Sequence, residues 1–126
     1  MRPFLAIILG AIPGVLSRYL LFTWLNDPNL GNLYPFGTFF VNVSGCLLMG
    51  FISSLMLERW SINEEIRLLL TTGFLGSYTS FSTYELDSVK ILLESNWIKE
   101  GLYWIGTPLM GIISFSLGTI LAKRFD

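Results

Sequence analysis

The chain contains no histidine and only one cysteine, Cys46, among its 126 residues. A disulfide framework within one chain needs more than one cysteine, and a Cys/His zinc site needs several such ligands, so both are excluded. Because there is also no evident pairing of a nucleophile with a base, we do not expect an enzyme.

Charge is scarce as well. Charged residues make up 13% of the chain, well below the roughly 25% typical of a soluble domain. The net charge of −1 offers no basic surface for nucleic acid. By contrast, 52% of the residues are hydrophobic and the mean hydropathy is +0.61. These values predict an all-α integral membrane protein, with residues 1–126 forming a single domain.

Four apolar segments predict four transmembrane helices. The first runs from about Phe4 to Leu25, which is long enough to cross a hydrocarbon core of about 30 Å, and turn residues follow it at 26–29. The second runs from about Phe36 to Leu57 and opens at Pro35, which suits a helix start. The fourth runs from about Leu102 to Leu121. Short loops favour antiparallel neighbours.

The third segment differs because a polar run interrupts it. It begins after residues 61–64, which match a capping-box pattern, and extends past Leu93. Two glycines, Gly73 and Gly76, and a run of hydroxyl residues break its helical pattern. In lipid, broken backbone is tolerated only where protein or a wet cavity surrounds it. Two half-helices meeting at this break explain the amphipathic second half; the alternative ends the span near Thr83 and leaves the rest on the surface.

Several polar residues and glycines lie inside the other spans. Gly10 and Gly14 form a small-xxx-small pair that allows close helix approach. Position alone leaves two placements open for Arg18, either facing the bundle interior or a wet vestibule, or extending to the near interface. Asn42 lies near the middle of the second span, where such residues often join helices. One face of the fourth span carries small or hydroxyl residues, which predicts packing more than a pathway: Thr107, Gly111, Ser114 and Gly118.

The charges specify orientation only weakly. One side carries five basic residues and the other carries Lys99, which favours cytoplasmic termini under the positive-inside rule. The five are Arg2, Arg59, Arg67, Lys123 and Arg124. Acidic residues share that side, so insertion in both orientations is open.

Three motifs carry a resemblance over the whole chain. They are Gly14-Val-Leu-Ser-Arg-Tyr19, Gly37-Thr-Phe-Phe-Val-Asn-Val-Ser-Gly45 and Gly73-Phe-Leu-Gly-Ser-Tyr-Thr-Ser-Phe-Ser-Thr-Tyr84. In this order and in these spans they resemble the CrcB/Fluc family of fluoride channels. The resemblance implies an antiparallel, dual-topology homodimer with two fluoride pores, exporting fluoride passively across a bacterial inner (plasma) membrane. It also implies a structural sodium ion at the dimer centre, held by the backbone carbonyls of Gly76 and Thr79.

The resemblance also implies which residues line the pore. Phe81 matches the family's first pore phenylalanine, and Tyr84 stands where the second is usually Phe. The ring edge of either residue carries positive quadrupole character. The hydroxyl of Tyr84 either donates to the anion or narrows the path, and its replacement by Phe is expected to be tolerated. Asn42, Ser82 and Thr83 offer hydrogen-bond donors for dehydrated fluoride. Thr107 adds a hydroxyl from the fourth span.

Two other classes remain open from the residues. A small multidrug-resistance exporter has about this size, but it needs an acidic residue in its first span, where this chain has Arg18 and no acid. A non-transporting accessory subunit would use every polar group to join helices. Liposome flux would separate the latter from a channel.

Overall fold

The computed structural model describes residues 2–26, 35–58, 61–94 and 96–125. Within these ranges the regular structure is entirely helical, with no strand. The elements in chain order are α1 (Arg2–Leu25), α2 (Phe36–Glu58), α3 (Glu64–Leu68), a π-helix (Leu69–Leu75), α4 (Gly76–Tyr78), α5 (Phe81–Leu93) and α6 (Trp97–Lys123).

Three helices of the described part of the chain have the length and hydropathy to cross a membrane. They are α1, α2 over Phe36–Leu57, and α6. Their outer faces are covered with exposed large apolar side chains, for example Ile8, Phe40 and Ile112. Water would disfavour these surfaces and lipid accommodates them, so the chain is a membrane protein.

Most helix ends lie where the sequence predicts them, and the exceptions described here lie at side-chain caps. α6 starts at Trp97, about five residues before the predicted start, because the side chain of Asn96 accepts the N–H of Lys99 at 3.1 Å. α3 starts at Glu64, but Asn63 rather than Ser61 caps it, by accepting the N–H of Ile66 at 2.9 Å. Predicted features at Arg59 and at 27–29 lie outside the described residues.

The predicted break in the third segment is confirmed, and it lies at Thr79 and Ser80. Residues 64–78, here called the first half-helix, run through α3, the π-helix and α4. Thr79 and Ser80 then adopt extended backbone, with ψ values of 158° and 107°. The second half-helix, α5, begins at Phe81 and ends at Leu93, so it stops slightly earlier than predicted.

Glycines allow the first half-helix to lie directly against α1. A Cβ on Gly10 would overlap the carbonyl oxygen of Leu69, and one on Gly14 would overlap that of Phe74. From the other side, a Cβ on Gly73 would lie 2.7 Å from the carbonyl oxygen of Ile7. The predicted small-xxx-small contact is therefore confirmed, and its partner is the π-helix.

The most extensive contact joins α2 to α6. A Cβ on Gly50 would overlap the carbonyl oxygen of Phe115, and one on Gly118 would overlap that of Leu47. The small-residue face of α6 is buried along its whole length, at Thr107, Gly111, Ser114 and Gly118. The prediction that this face packs is confirmed at Gly118, whereas Thr107 and Gly111 also line a cavity.

The second half-helix packs on α6 instead of lying free. Its buried face consists of Tyr84, Ser88 and Ile91, and the first and last of these cluster with Tyr103 of α6. The segment thus forms two half-helices that meet at the break, and the extent of its membrane span beyond Thr83 stays a prediction. The break itself is bonded to α1 through Arg18 and to α2 through Asn42.

Candidate functional site

The break is held open by the side chain of Asn42 in α2. Its Oδ1 accepts the N–H of Ser80 at 2.7 Å, and its Nδ2 donates to the carbonyl of Ser80 at 3.1 Å. One amide thus binds both backbone polar groups of an extended residue. It replaces the helical acceptor that the Ser80 N–H loses, and it adds a donor to the Ser80 carbonyl, which also accepts the N–H of Tyr84 at 3.4 Å. One N–H of the Asn42 amide is committed to this pairing, and an amide has two.

The same rearrangement frees two backbone carbonyls. In a continuous helix the N–H of Ser80 would donate to the carbonyl of Gly76, but here it donates to Asn42. Likewise the N–H of Thr83, the helical donor to the Thr79 carbonyl, donates to the Ser80 hydroxyl at 3.2 Å. Gly76 and Thr79 are the two residues that the family resemblance implies for sodium, and each has lost its helical donor.

Arg18 lies at this break. Its Nη1 donates to the carbonyl of Thr79 at 3.2 Å, and the side chain is half-buried. The structure therefore places its charge against the interrupted helix within the bundle, which was one of the two placements left open by the sequence. The guanidinium brings a fixed positive charge to the break, which attracts anions.

A cavity of about 490 Å³ adjoins the break and opens to the surface. Because it adjoins the break we call it the main cavity, although a cavity of about 820 Å³ between α2 and the start of the first half-helix is larger. The lining of the main cavity brings together four of the six predicted pore residues, from three different helices. These are Asn42, Phe81, Tyr84 and Thr107, and Cys46 and Thr79 lie beside them.

Two groups in the main cavity are poised to meet a ligand. The ring of Phe81 is 74% exposed. The hydroxyl of Thr107 is buried and has no hydrogen-bond partner among the residues that the structure describes. A buried hydroxyl without a partner is unfavourable in a membrane interior, so the Thr107 hydroxyl keeps an unused donor next to the cavity, although its oxygen is not itself exposed there.

The other two predicted pore residues lie elsewhere. Thr83 lines a second cavity of about 170 Å³ on the opposite side of the break, together with Arg18 and Thr38. Its Oγ1 accepts a hydrogen bond of 2.8 Å from Ser80. Ser82 is exposed, and its hydroxyl is 3.4 Å from that of Ser80. The predicted pore set is thus divided between two cavities and the surface.

The hydroxyl of Tyr84 has a protein partner in α6. It donates to the carbonyl of Trp104 in α6. The ring is buried between two aromatic neighbours, with centroid distances of 5.8 Å to Phe81 and 5.2 Å to Tyr103. Of the two roles that the sequence left open for this hydroxyl, donation to the anion is not the one this geometry favours.

One polar cluster was missed from the sequence. Asp87 of α5 accepts hydrogen bonds from Thr38 of α2 at 2.6 Å and from Tyr103 of α6 at 3.4 Å. Thr38 and Tyr103 are fully buried. Helical spacing could have revealed this cluster. Thr38 precedes Asn42 by four residues and Tyr103 precedes Thr107 by four, so each pair shares one helix face. The cluster therefore continues the polar faces of α2 and α6.

Comparison with known proteins identifies the family. A family model described as CrcB-like protein, Camphor Resistance (CrcB), matches residues 5–119. The chain belongs to the CrcB family. The match covers most of the three spanning helices, the break and the residues of both cavities beside the break, so the CrcB assignment applies to the complete candidate site.

Curated relatives of this CrcB chain share one name. This chain is 49% identical over 120 residues to the fluoride-specific ion channel FluC of Trichormus variabilis, and the match covers 94% of this chain and 87% of the relative. It is 46% identical over 118 residues to the protein of that name from Synechococcus sp. (strain JA-2-3B'a(2-13)), covering 94% and 90%. Identity to the Synechocystis sp. protein of the same name is 44% over 125 residues, covering 98% and 95%.

Proposed function

We propose that this CrcB protein is a passive fluoride-selective ion channel that lets cytoplasmic fluoride leave the cell. The observation that carries the proposal is the main cavity, in which an exposed aromatic ring, a buried unpartnered hydroxyl and an amide meet beside a broken helix. The relatives named fluoride-specific ion channels support the choice of ion, since they match nearly the whole chain.

The chemistry of the cavity suits a small anion that has lost its water. Fluoride is strongly hydrated, so a pathway must offer hydrogen-bond donors in place of water. Thr107 supplies its free hydroxyl and Asn42 the second N–H of its amide. The edge of the Phe81 ring adds positive quadrupole character. Ser82 and Thr83 remain predicted donors, because their hydroxyls lie close to the break.

Transport through this site needs no coupled energy source. Hydrogen fluoride is a weak acid that crosses membranes uncharged and ionises inside the cell. The trapped anion then leaves down its electrochemical gradient through a passive pore. The sequence contains no Gly-x-x-x-x-Gly-Lys nucleotide-binding pattern, which is in keeping with a channel.

The functional unit that we propose is an antiparallel homodimer with two pores. Residues 1–126 form one domain with four spans, in which the two half-helices together make the third. Phe81, although adjacent to the break, is exposed in a single copy, as expected of a ring that a second copy covers. The weak charge bias allows copies to insert in both orientations in a bacterial plasma membrane.

A structural sodium ion at the dimer centre completes the proposal. The carbonyls of Gly76 and Thr79 fit such an ion, because the break removes their helical donors and unwound carbonyls are typical sodium ligands in membrane proteins. Two facing breaks would supply two carbonyls each. Arg18 uses one lone pair of the Thr79 carbonyl and leaves the other for the ion.

The test is fluoride efflux from liposomes that contain the purified protein, measured with a fluoride electrode. We expect rapid efflux once a potassium ionophore balances the charge, and little chloride efflux under the same conditions. A protein that passes no fluoride would be an accessory subunit, and one whose efflux requires an opposing proton gradient would be an exporter. Either result would overturn the channel proposal.

A further inference from the structure

Proline 108 interrupts the hydrogen bonding of α6 at the level of the main cavity. Proline has no N–H, so the carbonyl four residues earlier, that of Trp104, loses its helical donor. The structure supplies a replacement from another helix: the hydroxyl of Tyr84 in α5 donates to the Trp104 carbonyl. The tyrosine hydroxyl and the proline thus complement each other across the interface between α5 and α6.

We propose that the hydroxyl of Tyr84 is a positioning group, which satisfies the carbonyl freed by Pro108 and thereby holds the two walls of the main cavity together. Its effect on transport rests on the proposed fluoride channel, whereas the hydrogen bond itself does not. In a hydrocarbon interior no water replaces a missing donor, so the freed carbonyl has few alternatives.

The position of Tyr84 explains how this bond acts on the cavity. Its ring is only 5% exposed and contacts Phe81, one residue of the cavity wall. Its hydroxyl is bound one turn before Thr107 and Pro108, which form the facing wall. A single side chain therefore sets the distance between the aromatic edge of Phe81 and the free hydroxyl of Thr107.

This inference reverses the expectation from the sequence that Tyr84→Phe is tolerated. Phenylalanine would fill the same space and keep the aromatic contacts, but it would leave the Trp104 carbonyl without a donor. We expect fluoride flux per protein to fall about three- to tenfold, a size that matches the loss of one interhelical hydrogen bond in a membrane protein.

A double-variant cycle with Pro108→Ala tests the mechanism. The alanine restores an N–H at position 108, which can donate to the Trp104 carbonyl within the helix. The combined variant Tyr84→Phe/Pro108→Ala should therefore recover flux relative to Tyr84→Phe alone, to within about twofold of Pro108→Ala. If the losses of flux caused by the two single substitutions simply add in the combined variant, the hydroxyl acts in some other way.

Tyr78 provides the matched control. It is also a buried tyrosine beside the break, and its hydroxyl lies 2.9 Å from that of Ser44, a contact that does not involve Pro108. If Tyr78→Phe reduces fluoride flux, addition of Pro108→Ala should not restore it. Rescue of both tyrosine variants would mean that Pro108→Ala stabilises the protein generally, and the proposal would be withdrawn.

Infrared spectroscopy tests the hydrogen bond without relying on transport. Protein labelled with carbonyl-¹³C tryptophan carries only four labelled carbonyls. Tyr84→Phe should move one labelled band to higher wavenumber, Tyr78→Phe should leave the labelled bands in place, and the combined variant should move the band back. Unchanged labelled bands in Tyr84→Phe would overturn the inference. If the wild-type protein passed no fluoride, the channel would be wrong, yet this band shift would still establish the bond.

Discussion

The side chain of Asn42 pairs with both backbone polar groups of Ser80, at 2.7 Å and 3.1 Å. This pairing allows a helix to stop and restart within the bundle, because it replaces the helical acceptor that the Ser80 N–H loses and adds a donor to the Ser80 carbonyl. It also fixes the orientation of the amide that lines the main cavity. Support of the break and lining of the cavity are therefore combined in one residue.

Substitution of Asn42 should separate these two roles. Asn42→Asp keeps an acceptor for the Ser80 N–H but places a carboxylate against the Ser80 carbonyl, so we expect fluoride flux to be abolished and stability to fall by about 1–2 kcal/mol. Asn42→Ser should retain part of the flux. Flux and thermal stability in detergent are measured on the same preparations. Wild-type flux in Asn42→Asp would remove Asn42 from the pathway.

Phe81→Ile tests the aromatic edge. The isoleucine keeps an apolar side chain at an exposed position but removes the ring, so we expect a strong loss of fluoride flux with little change in stability or oligomeric state. Size-exclusion chromatography and liposome efflux provide the two measurements. Leu93→Ile, at a comparably exposed position in the same half-helix, serves as a control and should leave flux unchanged. A pure Phe81→Ile protein with normal flux would exclude a role for the ring.

Cys46 offers a native reporter of the main cavity. It is the one cysteine of the chain and lies in the cavity lining beside Thr107. Mercuric chloride is uncharged and binds thiols, so it should inhibit fluoride flux in the wild-type protein, and a reducing thiol should reverse the inhibition. Cys46→Ala should conduct fluoride and should be insensitive to mercuric chloride. Inhibition that persists in Cys46→Ala would show that the reagent acts elsewhere.

Two glycines of α6 differ in what an added methyl group would meet. At Gly118 a Cβ would overlap the backbone of α2, whereas at Gly106 nothing lies within 4 Å. Gly118→Ala should therefore destabilise the protein by about 1–3 kcal/mol through overpacking. Gly106→Ala should be neutral or stabilising by up to about 1 kcal/mol, because alanine favours the helix. Thermal unfolding in detergent measures both; equal effects would contradict the described α2–α6 contact.

Dual topology is a prediction from charge. A tag at the C-terminus should be found on both sides of the membrane, and two added Lys residues within residues 26–32 should shift the population, since basic residues in short loops set orientation. Biasing nearly all copies one way should reduce fluoride flux, and co-expression of an oppositely biased copy should restore it. Full flux from a one-sided population would refute the antiparallel dimer and the sodium site between two breaks.

Much of the architecture follows from local sequence. Long apolar segments predict α1, α2 and α6 because a membrane span needs about 20 apolar residues in succession. Gly73, Gly76 and the hydroxyl run predict the break, since such residues support a helix poorly. The position of the α6 start was less well predicted, because the cap at Asn96 lies in a stretch that hydropathy does not mark.

The arrangement of the candidate site was decided by tertiary structure. The sequence predicted that Asn42, Phe81, Tyr84 and Thr107 belong together, and the structure brings them to one cavity, but it places Thr83 in another. The bonds of Asn42 to Ser80 and of Tyr84 to Trp104 join different helices. Hydropathy and spacing specify which residues form a helix and which of them share a face. The partner of a polar group across a helix interface depends on rotation and depth, which packing of the whole bundle determines.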